Sequence, residues 1–230
     1  MKKAITTFCD FLLPRFCVSC STKLSINEHF ICNLCQLQLT IVEPDFLGNE
    51  FCRKFKDDKY IDKFFSLYLF EKNGVFRSLI HSLKYKNNYR IGLFLGNKIA
   101  EYYLDNISLL KPDVIIPLPL HHVKKAQRGY NQAYYIAKGI SKKIHIPVCT
   151  SLVIRIKYKE TQTFYNLQQR KENIEGAFKV KKTKNIFGKT LLIVDDVITT
   201  GATINECAKV LKLAGAKNIY AVSAGLPNLE

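Results

Sequence analysis

Two adjacent carboxylates stand beside small and hydroxyl-bearing residues in the segment VDDVITTGAT, residues 194–203. The apolar residues before this segment predict a buried strand, and the apolar residues after it recur at helical spacing from about Thr203 onward. The unpaired N–H groups at the start of such a helix favour an anion, and Gly201 lets the backbone approach one closely. The segment therefore predicts a binding site for a phosphate group.

The side chains of this segment divide the predicted site into two halves. Three threonines add hydroxyl donors to the phosphate half. The two aspartates would repel a phosphate, but they accept hydrogen bonds from neutral hydroxyls, and a ribose diol supplies two. The sequence thus predicts a ribose 5-phosphate site at Asp195, Asp196, Thr199, Thr200, Gly201, Ala202 and Thr203. The alternative is a capped helix after a buried strand; a Walker A loop is excluded here because residues 194–203 contain no Gly-Lys-Ser/Thr.

A second group of chemically distinctive residues lies near the N-terminus, in CVSCSTKLSINEHFICNLC. Two C-x2-C pairs can place four thiolates at the corners of a tetrahedron, which is the geometry of a structural zinc site. The predicted ligands are Cys17, Cys20, Cys32 and Cys35. His29 lies between the pairs and can replace one sulfur; free thiols or a redox role are the alternatives to zinc.

Positive charge is concentrated in one part of the chain. The formal net charge is +16, and residues 111–189 hold 17 Lys and Arg against 4 Asp and Glu, a local net charge of +13. Such an excess indicates an anionic partner such as nucleic acid or a phosphorylated substrate. The alternative is a lysine-rich solvated surface.

The chain has no apolar segment long enough to predict membrane insertion. The N-terminal residues are interrupted by Asp10 and Pro14, so they predict a short helix rather than a signal peptide. We therefore expect a cytoplasmic protein, in which cysteines serve more often as metal ligands than as disulfides.

Beyond the cysteine-rich part, strand and helix patterns alternate. This alternation predicts an α/β fold with a mostly parallel sheet and helices on both faces. Gly215 is placed to end the helix after the threonine loop with a left-handed cap. The predicted domains are a small zinc-finger module (1–60) and an α/β domain (61–230). The predicted strands are residues 64–70, 112–120, 151–156, 190–196 and 218–225, and the helices include residues 131–144.

The run LLIVDDVITTGAT resembles the phosphoribosyl pyrophosphate (PRPP) motif of type I phosphoribosyltransferases. In that motif the two acids bind the ribose hydroxyls and the loop holds the 5-phosphate. With DVIIPLPLHHVKKAQRGYNQAYYIAKGI, LVIRIKYKETQTFYNLQQRKENIEGAF and the cysteine pairs, the chain resembles the ComF/GntX family over nearly its whole length. This resemblance implies a type I phosphoribosyltransferase-like domain behind a zinc finger. It also implies a role in natural competence, the handling of imported single-stranded DNA.

The resemblance also implies roles for residues outside the motif. The loop after the DVIIP strand would face the pyrophosphate end of PRPP, through Leu118, Pro119, Leu120 and Arg128. Lys124, Lys125 and Arg128 would contact nucleic acid. The polar stretch 157–175 would correspond to a mobile hood, with Gln162, Gln168, Arg170 and Asn173 at family positions. Relatives often carry a further cysteine pair, but here Phe55 stands where the second cysteine of CRKF would be.

Three functions are compatible with these features. The first is a PRPP-binding competence protein that also binds single-stranded DNA, with bases stacking on aromatic residues of the basic span: Tyr130, Tyr134, Tyr135, Tyr158, Phe164 or Tyr165. Tyr134 and Tyr135 cannot both face one side of a helix. The second is an active phosphoribosyltransferase, with Mg²⁺ neutralising the phosphates and a nucleobase or amine as acceptor. The third is a non-catalytic adaptor that docks a DNA helicase. The residues leave open whether PRPP is turned over.

Overall fold

The computed structural model of the protein describes residues 14–157, 174–181 and 183–227. Its helices and strands, in chain order, are α1 (Asn33–Leu37), α2 (Pro44–Phe55), β1 (Lys63–Phe70), α3 (Val75–Tyr85), α4 (Arg90–Tyr102), α5 (Leu104–Leu110), β2 (Val114–Pro117), α6 (His122–Arg128), α7 (Gln132–Ile144), β3 (Val153–Arg155), β4 (Phe178–Val180), a 3-10 turn (Thr183–Asn185), β5 (Thr190–Val197), α8 (Ala202–Leu213) and β6 (Asn218–Pro227).

The main sheet has the strand order β1-β6-β5-β2, and all neighbouring strands are parallel. The predicted α/β fold is confirmed. One predicted strand lies elsewhere: β3 pairs antiparallel with β4 in a separate two-stranded sheet. Val153 and Phe178 of this small sheet pack against α8, so β3 adds to the layer that covers the main sheet.

The run of apolar residues in β5 is buried on both sides. Leu192 and Val194 pack in a core with α3, α4 and α7, whereas Leu191 and Ile193 pack in a second core with α2 and α8. This alternation follows from the two-residue period of a strand between two helical layers. The carboxyl end of β5, where the two aspartates lie, is therefore fixed from both faces of the sheet.

Helices α4 and α7 touch through their backbones. A Cβ atom on Gly96 would lie 2.1 Å from the carbonyl oxygen of Ile136, and one on Gly139 would lie 2.5 Å from the carbonyl oxygen of Leu93. Only glycine allows so close an approach. The contact fixes α7, and with it the loop and the helix α6 that lead into its N-terminus.

Residues before the predicted boundary at residue 60 contribute to both cores. Cys17 and Cys32 are buried in the core of α3 and α4, and the ring of Phe30 meets that of Phe94 at 5.7 Å. Farther along, Ile41 forms an antiparallel bridge with β1, and α2 packs into the other core through Phe55. The division of the chain into residues 1–60 and 61–230 stays a prediction.

Several predicted features lie outside the described residues. These are the short helix of the first 13 residues, the aromatic residues Tyr158, Phe164 and Tyr165, and the hood residues Gln162, Gln168, Arg170 and Asn173. Among the helices of the described ranges, none is long and apolar enough to cross a membrane.

Candidate functional site

The threonine loop connects the carboxyl end of β5 to the first turn of α8. Gly201 caps this helix in a left-handed conformation (φ 80°), and the N–H of Ala202 donates to the hydroxyl of Thr200 at 3.3 Å. Together these residues shape a small cleft of about 40 Å³, lined by Asp195, Val197, Ile198, Thr199, Thr200, Gly201, Thr203 and Ile204. The predicted phosphate-loop residues are thus brought together at a helix N-terminus, where backbone donors favour an anion.

Helix α2 supports this loop from behind. A Cβ atom on Gly201 would lie 2.8 Å from Cε1 of Phe55 and 3.2 Å from Cβ of Lys54, so glycine is required both for the backbone angle and for space. Farther along α8, the amide nitrogen of Asn205 donates to Asp58 at 2.6 Å. Phe55 is therefore part of the packing that positions the loop.

The two aspartates have different surroundings. Asp196 is only 7% exposed, and its Oδ1 lies 3.0 Å from Nζ of Lys84 at the end of α3. Asp195 is half-buried, and its Oδ1 accepts the backbone N–H of Asp196 at 2.8 Å. Burial and the neighbouring charge of Asp196 raise the pKa of Asp195 to about 7, although this N–H, Lys84 and Arg155 act in the opposite direction. Asp196 is therefore held in an ion pair with Lys84, and Asp195 titrates near neutrality.

Lys84 is a site residue that the sequence analysis did not find. It lies more than a hundred positions before the aspartates, in a helix whose apolar pattern gives no sign of a binding role. Only the packing of α3 beside the end of β5 brings the two together. A lysine in the last turn of an otherwise ordinary helix carries no sequence signal of this kind.

The loop predicted to face pyrophosphate has few backbone donors to offer. The N–H of Leu118 donates to the carbonyl of Val194 at 2.8 Å and so extends the sheet, and Pro117 and Pro119 have no N–H. The carbonyl of Leu118 accepts from the side chain of Asn131 at 3.0 Å, and Asn131 also caps α7. Leu120 is left as the residue of this loop that can present an N–H to a ligand.

A larger cleft of about 680 Å³ opens beside this loop. Its walls come from the loop, from α6 and α7, and from β3, and they include Pro119, Leu120, Lys125, Asn131, Tyr134 and Arg155. The side chain of Arg155 lies over the ring of Phe178 at 5.7 Å, and its Nε is buried without a hydrogen-bond partner. Such a buried, unsatisfied donor marks Arg155 as a further candidate for anion binding, which the sequence analysis also missed.

The basic residues around this cleft lie close enough to influence one another. Burial lowers the pKa of Lys124, and the positive charges of Arg155, Arg128 and Lys84 lower it further. Burial also lowers the pKa of Arg155, whereas the charge of Asp195 acts in the opposite direction. We call Lys84, Lys124, Arg128 and Arg155 the cation cluster; Lys84 joins it to Asp196 and Arg155 joins it to Asp195.

The described tyrosines that the sequence offers for base stacking differ in how far they are exposed. Tyr130 is buried, and its hydroxyl donates to the carbonyl of Leu83, so it is a core residue. Tyr134 and Tyr135 are half-buried. The most accessible tyrosine beside the cation cluster is Tyr85, which is 67% exposed and has the guanidinium carbon of Arg128 at 5.9 Å from its ring centre. No pattern in the sequence singles out Tyr85.

The four predicted cysteine ligands do converge. Their sulfur atoms all lie within 4.8 Å of one another, and those of Cys20 and Cys32 are 3.6 Å apart. A tetrahedral zinc site with bonds of ~2.3 Å requires sulfur atoms ~3.8 Å apart, so this donor set fits zinc with all four positions filled. Neither His29 nor Cys52 belongs to the group; both are exposed.

Comparison with known proteins agrees with this architecture. A family model described as "Phosphoribosyl transferase domain" matches residues 130–224. The chain is 30% identical over 216 residues to "Competence protein F" of Haemophilus influenzae, which covers 88% of this chain and 93% of that protein. The chain belongs to the ComF family of competence proteins.

Two further relatives of this ComF-family protein have related names. "DNA utilization protein YhgH" of Shigella flexneri is 32% identical over 144 residues, which are 61% of this chain and 63% of that protein. "Competence protein ComFC" of Bacillus subtilis is 24% identical over 204 residues, 86% of this chain and 78% of that protein. The phosphoribosyl transferase match includes the aspartates and the threonine loop but begins after Lys84 and Lys124.

We expect the purified ComF-family protein to hold one zinc ion per chain. Cys17→Ser and Cys32→Ser should each lose the metal and lower the melting temperature, because both residues are buried in the core of α3 and α4. Elemental analysis and thermal unfolding measure both effects. Cys52→Ser is the matched control and should keep its zinc. Full zinc occupancy in the Cys17→Ser protein would contradict the site.

The raised pKa of Asp195 predicts a pH-dependent cost in stability. The pKa of this carboxyl is about 7 in the folded protein and 3.8 in the unfolded chain. Between these two values the folded state binds more protons, so the free energy of unfolding falls as the pH rises through this range. Asp195→Asn should therefore gain melting temperature relative to wild type, by more at pH 8 than at pH 5. Asp113, whose pKa is lowered because it accepts the N–H of Thr190, is the control. For Asp113→Asn the change in melting temperature should be equal at the two pH values.

Proposed function

We propose that this protein binds PRPP at the end of β5 and single-stranded DNA at the adjacent basic cleft, and that it serves natural competence in the cytoplasm. The observation that carries the proposal is that two adjacent carboxylates, one buried and one half-buried, lie across one short loop from a helix N-terminus. The names of its ComF relatives, which refer to competence and to DNA utilization, support the biological role.

The ribose half of PRPP is bound by the aspartates in this proposal. Asp196 keeps its charge through Lys84, and Asp195 becomes fully charged when a diol donates to it, since a hydrogen bond to the carboxylate favours the ionised form. The 5-phosphate lies against the N–H groups of the first turn of α8 and the hydroxyls of Thr199, Thr200 and Thr203. A neutral diol and a dianion thereby bind side by side without repulsion.

The pyrophosphate half of PRPP extends from the aspartates toward the cation cluster. Arg128 and Arg155 have the planar guanidinium groups that suit phosphate oxygens. Carboxylate oxygens also suit Mg²⁺, but a metal would compete with Lys84 for Asp196. We therefore propose that Mg²⁺, which neutralises phosphate charge when it is bound, is held mainly by the oxygens of PRPP itself.

Single-stranded DNA binds through the same basic side of the molecule. Lys124, Lys125 and Arg128 lie on the short helix α6, and Lys125 lines the large cleft. Their charges would follow the phosphate backbone, while exposed Tyr85 stacks a base. The threonine loop itself is unsuited to DNA, because DNA lacks the 2′-hydroxyl that the aspartate pair would recognise.

An active phosphoribosyltransferase is the second candidate function. The large cleft favours it, because a space of about 680 Å³ with Tyr134 and Tyr135 in its walls can hold an aromatic acceptor next to the predicted ribose site. Release of pyrophosphate in the presence of PRPP and a nucleobase or amine would support turnover.

An adaptor that docks a DNA helicase through the zinc module is the third function. It keeps PRPP binding and assigns the partner to residues 1–60. Because Phe55 and Lys54 pack behind the threonine loop, removal of all of residues 1–60 would disturb PRPP binding as well as the docking of the helicase. A cut that leaves α2 in place is the cleaner test of such a module.

The Asp195→Asn/Asp196→Asn protein should bind PRPP about a hundredfold or more weakly than wild type. Each aspartate is proposed to accept a charge-assisted hydrogen bond from the diol, worth about 1.5–3 kcal/mol. Calorimetric titration with PRPP measures the affinity. Glu101→Gln is the control, because Glu101 pairs with Lys98 and Lys143 on a different part of the surface. Equal PRPP affinity in the double variant and in wild type would sink the assignment.

A further inference from the structure

Arg128 is proposed to bind both the pyrophosphate of PRPP and DNA. It lies on α6, a helix of seven residues and about 10 Å that also carries Lys124 and Lys125. Lys124 and Arg128 are four residues apart, so they lie on the same face of this helix. The two proposed ligands therefore converge on one group of side chains.

The cation cluster acts as one electrostatic unit. Burial and the positive charges of Arg155, Arg128 and Lys84 lower the pKa of Lys124. Lys84 also pairs with Asp196, and Arg155 interacts with Asp195. Two of its four cations are thus tied to the aspartates that would bind ribose. An anion that occupies this cluster reduces the positive potential available to any second anion nearby.

Several lysines elsewhere form ion pairs of their own. Lys143 pairs with Glu101 at 3.3 Å, and Lys189 pairs with Asp113 at 3.1 Å. Lys212 pairs with Asp62 at 2.9 Å. The fields of these lysines are therefore partly cancelled. The cation cluster is a candidate for binding a polyanion because the carboxylates that interact with it are the aspartates of the proposed ribose site.

The exposed ring beside the cluster fixes where a nucleic-acid strand would lie. Tyr85 follows Lys84 directly in the chain, and Arg128 stands over its ring at 5.9 Å. A base that stacks on Tyr85 places its flanking phosphates next to Arg128 and Lys124. These are the same side chains that the pyrophosphate of PRPP would reach from the aspartate pair.

We propose that PRPP and single-stranded nucleic acid exclude each other on this protein, because the pyrophosphate group and the strand's phosphates compete for the cation cluster. This inference rests on the proposed function, since it requires that each ligand binds by itself. It makes the concentration of PRPP a regulator of nucleic-acid binding. By thermodynamic linkage, the bound strand must lower the affinity for PRPP by the same factor.

The test uses the zinc-loaded full chain and a fluorescently labelled single-stranded oligo(dT). Its Kd is measured by anisotropy at constant ionic strength and constant Mg²⁺, alone and with saturating PRPP. PRPP should raise this Kd by about tenfold or more, a factor within the ordinary range of coupling between sites. Ribose 5-phosphate is the control, because it should bind to the aspartates and the threonine loop but has no pyrophosphate group to reach the cation cluster. At saturation it should raise the Kd by less than about twofold.

Two variants separate the ligands. Tyr85→Ala should weaken oligonucleotide binding by more than it weakens PRPP binding, because the ring is proposed to stack a base, whereas its only link to PRPP is through Arg128. Arg128→Gln should weaken the binding of PRPP and of the oligonucleotide. If PRPP and the oligonucleotide each bind but PRPP leaves the oligonucleotide Kd unchanged or lowers it, the exclusion is overturned and the proposed function stands. If either ligand fails to bind alone, the proposed function fails first and the exclusion fails with it.

Discussion

The ion pair between Lys84 and Asp196 sets the electrostatics of the whole candidate site. It joins the end of α3 to the end of β5 at 3.0 Å. Burial and the neighbouring Asp196 carboxylate raise the pKa of the half-buried Asp195 to about 7. Arg155 interacts with the same aspartate from the large cleft. The positions proposed to bind a neutral diol and those proposed to bind an anion follow from this arrangement.

Packing on both faces of the sheet keeps these charges in place. The backbone contact between Gly96 and Gly139 holds α7 and, through Asn131, the loop after β2. On the other face Phe55 lies against Gly201, so the N-terminal part of the chain takes part in shaping the threonine loop. The cysteine cluster packs in the core of α3 and α4, so residues before position 60 cover part of both faces of the sheet.

The sequence predicted the parts of this structure that depend on local patterns. The apolar run of β5, the glycine before α8 and the two C-x2-C pairs each have a fixed spacing with a physical cause, and the sheet and the cysteine cluster were found where expected. Lys84, Tyr85 and Arg155 could not be found in this way, because they reach the site through tertiary packing. Helix α2 was missed as well, since two of its charged residues, Glu50 and Lys54, lie on its buried side and obscure the apolar pattern. The antiparallel pairing of β3 depends on residues more than twenty positions away.

A crystal structure of the protein with PRPP tests the central claim most directly, because it locates each half of the ligand. The account predicts the ribose hydroxyls on the carboxylates of Asp195 and Asp196, the 5-phosphate against the N–H groups of residues 199–203, and the pyrophosphate beside Arg128 and Arg155. The Lys84–Asp196 ion pair should remain intact in the complex. PRPP bound away from the end of β5, or bound there with its pyrophosphate on the threonine loop, would contradict the account.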